Sequence, residues 1–353
     1  DLPDANGIDS NCDGIDGRIA ESIFVAPDGN DGNDGLTPET PFATISRAMR
    51  IAAVRPERTR ILVQSALYRA DQTITLVSGT SLHAGYGAGF GIRNEQRASV
   101  IIDASLGLQA IDLNAEVTLE RIDFQVSDQL QAGEASIGLA IRNSAEFLHL
   151  TDVTIEAGRG GRGDNGANGF DGQAGSNGAN ASGSTAGSGG AIGGGNGANG
   201  RNRAAGPAGS SGNPNGLACG GGGGTGSGNA GLGCDDGDPR PGSNGGRGCD
   251  GPAGNNGTSG SGLGAIDGLT WRPTNGANGG SGVTGGGGGG GGAGGGENCV
   301  FIGCIYCGTG RGGGGGGGGA TAGGGGRGGQ SGGASIGALL QNTTLHLRRV
   351  IIR

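Results

Sequence analysis

Lysine is missing altogether: all 23 basic residues of this 353-residue chain are arginine. Aromatic residues make up only 3% and the hydrophobic set 33%, which excludes one ordinary globular core spanning the whole length. No stretch of 18 apolar residues occurs, so no segment reads as a membrane-spanning helix. No basic stripe interleaved with aromatics is present, which argues against a nucleic-acid partner. No secretory leader is visible; the chain opens at Asp1 and stops at Arg353 within a strand-like pattern, and is expected to be an excerpt of a longer, processed chain.

What the chain has in excess is glycine, 92 residues against a usual share of about 7%. The excess is local, because 77 of the 92 lie in residues 158–333. Charge divides the chain in the same place. Residues 1–157 carry 23 acids against 11 arginines, and the first 39 residues hold ten acids and one arginine. That acidity suits a cation better than an anion.

The opening reads DLPDANGIDSNCDGIDG. Asp9, Asn11 and Asp13 alternate, Gly14 follows, and Asp16 comes next, which meets the oxygen and glycine requirements at the start of a calcium loop. Ala20 stands where an EF-hand needs its bidentate glutamate, so the loop is not of that kind. It resembles the Asp/Asn-rich calcium repeats of thrombospondin type 3, and Ca²⁺ is the expected cofactor, with a solvated acidic linker as the alternative.

Residues 21–157 start with a short apolar strand at 23–26, followed by Asp/Gly/Asn turns. Phe42, Ile45, Ala48, Met49 and Ala52 then recur at helical spacing, with Thr40 before Pro41 as the expected N-cap. From Arg60 onward come short β runs with polar turns and no second helix, the pattern of a solenoid of parallel rungs with the helix as its cap. The residues Phe24-Val25-Ala26-Pro27-Asp28-Gly29-Asn30-Asp31, then Asp34-Gly35, Pro38-Glu39-Thr40-Pro41-Phe42 and Thr44-Ile45, carry a resemblance. They are similar to the opening of right-handed parallel β-helix proteins of the pectin-lyase-like class, including secreted bacterial members. The resemblance implies an all-β parallel β-helix. It also raises polysaccharide cleavage with Ca²⁺ and an arginine or lysine base as an alternative function. Lysine is absent, and Arg69, Arg93, Arg97, Arg121 and Arg142 have no Asp cluster beside them in sequence. His149 and His346 sit in apolar alternation, and His83 has no evident partner. The expected class is non-enzymatic.

In residues 158–333, glycine holds a strict period of three at 160–178, 242–260 and 276–294, and two runs, 285–292 and 312–319, are eight glycines each. Six prolines and register breaks near 180 exclude collagen. Disorder is one remaining account. The other is a bundle of polyglycine II helices, three residues per turn with about 3.1 Å rise, the all-glycine runs at its centre. This segment resembles the polyglycine II bundles of snow flea antifreeze protein and of phage tail adhesins. Cys219, Cys234, Cys249, Cys299, Cys304 and Cys307 fall at or near the proposed turns as disulfide candidates, with Cys12 left over. The spacing of the last three also matches an iron–sulfur pattern, but the residues between them suit an apolar plug. Arg162-Gly163-Asp164 is taken as a chance tripeptide.

Residues 334–353 echo the earlier rung: Ala334-Ser335-Ile336-Gly337 aligns with 135–138, Asn342 with Asn143, and Leu345-His346-Leu347 with 148–150. The glycine-rich segment is therefore expected to be an insertion between consecutive rungs. The organisation reads as 1–20 calcium-type loop, 21–157 capped β-helix, 158–333 polyglycine II insertion and 334–353 resumed rung. The expected function is a secreted adhesive or structural surface protein whose partner is a surface polymer, another cell or its own copies. Trp271, Phe301 and Tyr306 are the candidate contact residues, with packing beneath the turns as the alternative. Ice binding is a further alternative, opposed by the charges of Arg159, Arg162, Asp164 and Asp171.

Overall fold

The computed structural model describes residues 2–4, 7–182, 184–190, 194–199, 208–211, 223–225, 243–244, 246, 250–260, 262–293 and 312–353. It forms two compact units. The first comprises Asp1–Asp164, Gly260–Asn275 and Gln330–Arg353, and the second Asn165–Ser259 and Gly276–Gly329.

The first unit is built on one eleven-stranded sheet in which every pairing is parallel. Its strands are β1 (Ser22–Val25), β2 (Arg60–Gln64), β3 (Leu67–Ala70), β4 (Ile74–Thr75), β5 (Ser81–Tyr86), β6 (Ala98–Ile102), β7 (Leu106–Ile111), β8 (Val117–Val126), β9 (Ser136–Glu156), β12 (Ser335–Arg348) and β13 (Ile351–Ile352). Three ladders run through it. Ile23, Ile61, Leu82, Leu119, Leu150 and Leu347 share the first. Tyr68, Val100, Phe124, Ile155 and Ile352 share the second, and Ile74, Leu108, Leu139 and Ala338 the third. Within each ladder the like-placed apolar residues are buried except at β12 and β13, so successive strands extend one core. Each fully buried aliphatic side chain contributes about 1.5–3 kcal/mol.

The sheet curls because long strands bend at single left-handed residues. In β8, Val117 and Leu119 face inward, then Ile122, Phe124 and Val126 do. Arg121, at φ +56°, sits at the bend and shifts the inward parity by one. Asp152 and Arg349, with φ +54° and +53°, repeat that corner in the following strands and pair with each other as ions. A second corner stacks Asp112, Asn143 and Asn342, all at positive φ. There Asn342 Nδ2 donates to Asn143 Oδ1 (3.1 Å), and Asn143 Nδ2 to Asp112 Oδ1 (3.0 Å). Asn and Asp tolerate this conformation better than other side chains, which accounts for their place at the bends. A parallel sheet curled in this way is compatible with a β-helix-like solenoid.

The expected helix is present as α1 (Ile45–Ala52), with Ile45, Ala48, Met49 and Ala52 buried against the sheet core. Its N-cap is Thr44 rather than Thr40. Thr44 Oγ1 accepts from the Arg47 amide at 3.1 Å, and Asp31 fixes Thr44 through both its amide and its hydroxyl. Pro41 and Phe42 precede the helix in extended conformation, with Phe42 bridging to Val25. The resumed rung also forms in the expected register, Ser335 opposite Ser136 and Leu345–Leu347 opposite Leu148–Leu150. Two elements are not legible in the sequence: β3, and the hairpin β10 (Ala265–Asp267)–β11 (Thr270–Arg272) inside the glycine-rich stretch.

Among the described residues of the second unit there is no helix and no strand ladder, yet backbone bonding is regular. Residues 276–293 and 312–329 run antiparallel. The amides of Gly276, Gly279, Gly282, Gly285, Gly288 and Gly291 donate to the carbonyls of Gly329, Gly326, Gly323, Ala320, Gly317 and Gly314 at 2.7–2.9 Å. The period is three. Segment 312–329 keeps that period toward a second neighbour, with Gly315, Gly318 and Thr321 donating to Ala179, Ser176 and Gln173. It repeats it toward a third, with Gly326 and Gly329 donating to Asn255 and Thr258. Gly285–Gly290 are all buried, and a Cβ on Gly290 would lie 2.0 Å from the Asn196 carbonyl oxygen. A Cβ on Gly316 would lie 2.1 Å from the Gly288 carbonyl oxygen, and one on Gly319 1.9 Å from that of Gly285. Asn, Ser and Thr side chains answer further amides, among them Asn196 Oδ1 to Gly189 (2.7 Å) and Asn278 Oδ1 to Gly328 (2.9 Å).

Gly316→Ala and Gly319→Ala should each destabilise the second unit by about 1–3 kcal/mol, as overpacked sites do. Gly280→Ala, which meets nothing within 4 Å, should be neutral or slightly stabilising. Thermal unfolding of the three variants is the check; equal effects at Gly316 and Gly280 would contradict the close-packing account.

Candidate functional site

The N-terminal loop is held onto the first unit through a buried ionic cluster. After β5 the chain makes a tight excursion: Gly87 N donates to Ile92 O, Asn94 N to Gly85 O, and Phe90 takes φ +63°. This returns Arg93 beside Tyr86, with its guanidinium fully buried and 5.4 Å from the Tyr86 ring. Arg93 donates to Glu120 Oε2 on β8 (2.6 Å), to the Ala84 carbonyl (3.1 Å) and to the Asp4 carbonyl (2.7 Å), and lies 3.6 Å from Asp16. His83 Nδ1 faces Glu120 Oε2 at 3.1 Å, and Tyr86 donates its hydroxyl proton to the Asp16 carbonyl at 2.6 Å. Beside this cluster, Ile15 of the loop packs with Phe24, Ala26, Leu62, Tyr86 and Phe90 in a small core of its own.

Burial works to raise the Glu120 carboxyl, but the His83 hydrogen bond and the Arg93 charge outweigh it and hold the group at about 2. Burial lowers His83, and the nearby Arg93 lowers it further, against the pull of Glu120. Asp16 is raised because burial exceeds the help of the Asp4 amide and Arg93.

The structure separates the four candidate metal ligands. Asp9, Asn11 and Asp13 wrap the loop backbone: Asp9 Oδ2 accepts from Gly14 N (2.8 Å), Asn11 Oδ1 from Asp13 N (3.0 Å), and Asp13 Oδ1 from Ile15 N (3.2 Å). Asp16 instead lies buried beside Arg93. Among the described residues, no three His, Cys, Asp or Glu side chains are placed together as a metal cage. Cys12 is exposed and free; Cys219, Cys234, Cys249, Cys299, Cys304 and Cys307 lie outside the described residues, as do Phe301 and Tyr306. Trp271 is half-buried on the outer face of the third ladder, packed against the cluster of Ala135, Ile137, Ala140 and Leu339, in the first unit. Of the charges expected to oppose an ice-binding face, Arg159, Arg162 and Asp164 belong to the first unit and Asp171 to the second.

Two findings revise the reading of the basic residues. His83 does have a partner, Glu120, brought to it by strand register. The arginines do acquire acids: Arg97 pairs with Asp123 (2.7 Å), and Arg69 faces Asp103 (3.6 Å). Arg69 also lines two grooves on the outer face of the second ladder. One, of about 520 Å³, holds Asp31, Arg50, Asp71 and Asp103; the other, of about 550 Å³, holds Gln125, Asp128, Glu156 and Arg159. Residues this far apart in sequence meet only through the parallel register.

No helix among the described residues is long and apolar enough to cross a membrane. Comparison with family profiles, with characterised proteins and with solved structures finds no match to this chain.

On acidification, both depressed groups withdraw stability. His83 does so as pH falls below the ordinary histidine range, and Glu120 from the ordinary carboxylate range down to about 2. Asp16, raised in the fold, withdraws none as it takes up its proton. Denaturant unfolding at a series of pH values should therefore show an early loss of stability that His83→Gln removes; persistence of the early loss in that variant would refute the assignment.

Proposed function

We propose that this chain is a non-enzymatic, extracellular or cell-surface protein in which a parallel β-helix scaffold carries a polyglycine II bundle used for attachment or assembly. The observation that carries the reading is the three-residue hydrogen-bond register of segments 276–293 and 312–329, with 312–329 also bonded at the same period to two further segments. Polyglycine II has three residues per turn and sends its amides outward in turn, so each chain must bond to several neighbours. The scaffold reading rests on the three parallel ladders and their stacked corners. This domain holds its segments together by backbone bonds and displays short polar side chains, among them Asn168, Asn177 and Asn256, on its exposed positions. Those properties suit a spacer or adhesive element better than a catalytic one. Beads coated with the full chain should adhere to polymer- or cell-coated surfaces, and a variant with residues 158–333 replaced by a short linker should lose that adhesion. Equal adhesion by both would reject the reading.

A polysaccharide-binding face is the second reading, favoured by the two polar grooves that share Arg69. On this reading, retention of polysaccharide-coated beads survives replacement of residues 165–259 by a short linker, which leaves Arg159 in place, and is lost on substituting Arg69.

Calcium belongs to the same proposal. Two carboxylates, Asp9 and Asp13, and the Asn11 amide oxygen lie on one short exposed loop, a hard-oxygen donor set that fits Ca²⁺. Asp16 serves as the anchor of that loop at Arg93. Calorimetric titration should show Ca²⁺ binding that Asp13→Ala abolishes and Asp34→Ala leaves intact; identical binding in both variants would remove Ca²⁺ from this loop.

A further inference from the structure

We infer a second metal site, for a borderline divalent ion such as Zn²⁺ or Cu²⁺, formed by His149 and His346 with Glu146. His149 lies on β9 before the glycine-rich stretch and His346 on β12 after it, and the parallel register sets them directly opposite each other. Their rings stack with centroids 4.5 Å apart and planes inclined by 13°. Both point outward from the sheet, in the ladder that places Thr118 next to His149. The Glu146 carboxylate lies near one of the two rings, with Oε2 3.9 Å from His346 Nε2.

The geometry suits a shared ion. Zinc binds imidazole nitrogen at about 2.0–2.1 Å and carboxylate oxygen at about 2.0–2.2 Å in tetrahedral geometry, which sets neighbouring donors roughly 3.4 Å apart. The Glu146–His346 pair, at 3.9 Å, needs only a slight approach to reach that separation. The stacked rings must turn out of their stack to aim their in-plane lone pairs at one point, a rotation open to His346, whose side chain is 47% exposed, as is the approach of Glu146, at 79%. Two imidazoles and one carboxylate are a donor set that zinc and copper favour over calcium or magnesium. The three do not form a finished cage before the ion arrives, so the ion closes the site. In doing so it pins β12 to β9, the two strands joined in sequence only through the glycine-rich stretch. The bland account, neutral rings stacked as ordinary surface packing, predicts no ion.

The test is calorimetric titration of the full chain with Zn²⁺ near neutral pH, after alkylating every free thiol, Cys12 included, without prior reduction so that thiolates do not compete. One equivalent should be lost in His149→Gln and in His346→Gln, and Glu146→Gln should bind roughly tenfold more weakly. Electron paramagnetic resonance of the unsubstituted chain with one equivalent of Cu²⁺ supplies a readout independent of whether the variants fold, and should show coupling to two imidazole nitrogens. No zinc binding by the unsubstituted chain, unchanged binding in the doubly substituted chain, or fewer than two coupled nitrogens would each overturn the site.

Discussion

Backbone hydrogen bonding between sequence-distant segments is the constraint on which both units depend. Buried amides and carbonyls need partners, and among the described residues neither helix nor local hairpin supplies most of them. The first unit answers with parallel ladders, in which side chains alternate between core and solvent. The second answers with bonds at every third residue, each glycine segment facing several others. The two solutions call for different sequences. A ladder with a period of two can bury Ile, Leu and Val on one side, whereas a chain bonded on several sides has no direction left for a large side chain. Glycine at the contact positions and Asn, Ser or Thr elsewhere follow from that geometry.

The same constraint explains where polar groups enter the first unit. Its bends are made by single residues at positive φ, and these stack from strand to strand as Asp112–Asn143–Asn342 and Arg121–Asp152–Arg349. Stacking makes each corner a row of partners: side-chain amides of the first row donate to the next amide or to the Asp112 carboxylate, and an ion pair joins Asp152 and Arg349 in the second. The Arg93 cluster is of another kind. Breaking a buried ion pair by removing one partner costs about 3–5 kcal/mol, while an apolar replacement of the whole set is often no less stable. Such a cluster is therefore better understood as specifying one docking of the N-terminal loop, through Asp4 and Asp16, on the sheet. Arg93 reads the loop at two separate points, the Asp4 carbonyl and the Asp16 carboxylate, and a loop shifted by one residue would lose both.

The placement of the glycine-rich stretch gives the molecule its functional interest. The chain leaves the curled sheet after β9, contributes a hairpin that covers the outer face of the third ladder with Trp271 and Leu269, and returns as β12 in register with the strand it left. A return of this accuracy requires that β12 be specified by its own sequence, and the repeated Ala-Ser-Ile-Gly, Asn and Leu-His-Leu elements supply that specification. The paired histidines are part of that repeat, so the proposed metal site and the register share one origin.

The sequence by itself determined the elements whose signal is local. The alternation of β8, the apolar face of α1, the three-residue glycine period and the resumed rung at 334–353 are all readable from side-chain spacing, because burial on one face imposes a period on the chain that forms it. Asp9, Asn11 and Asp13 were likewise legible as neighbours in one loop. Only the tertiary structure decided the rest. His83 meets Glu120, Arg69 meets Asp103, and Asp16 meets Arg93 through strand pairing and loop docking, which join residues tens of positions apart. Thr44 replaces Thr40 as the cap because Asp31, across a turn, holds its amide and hydroxyl. Trp271 packs in a hairpin of the first unit, although composition assigns its neighbourhood to the glycine-rich stretch, because an outward apolar patch on β7, β9 and β12 needs covering. Period is a property of one segment and can be read in it; partnership is a property of two, and only the fold brings them together.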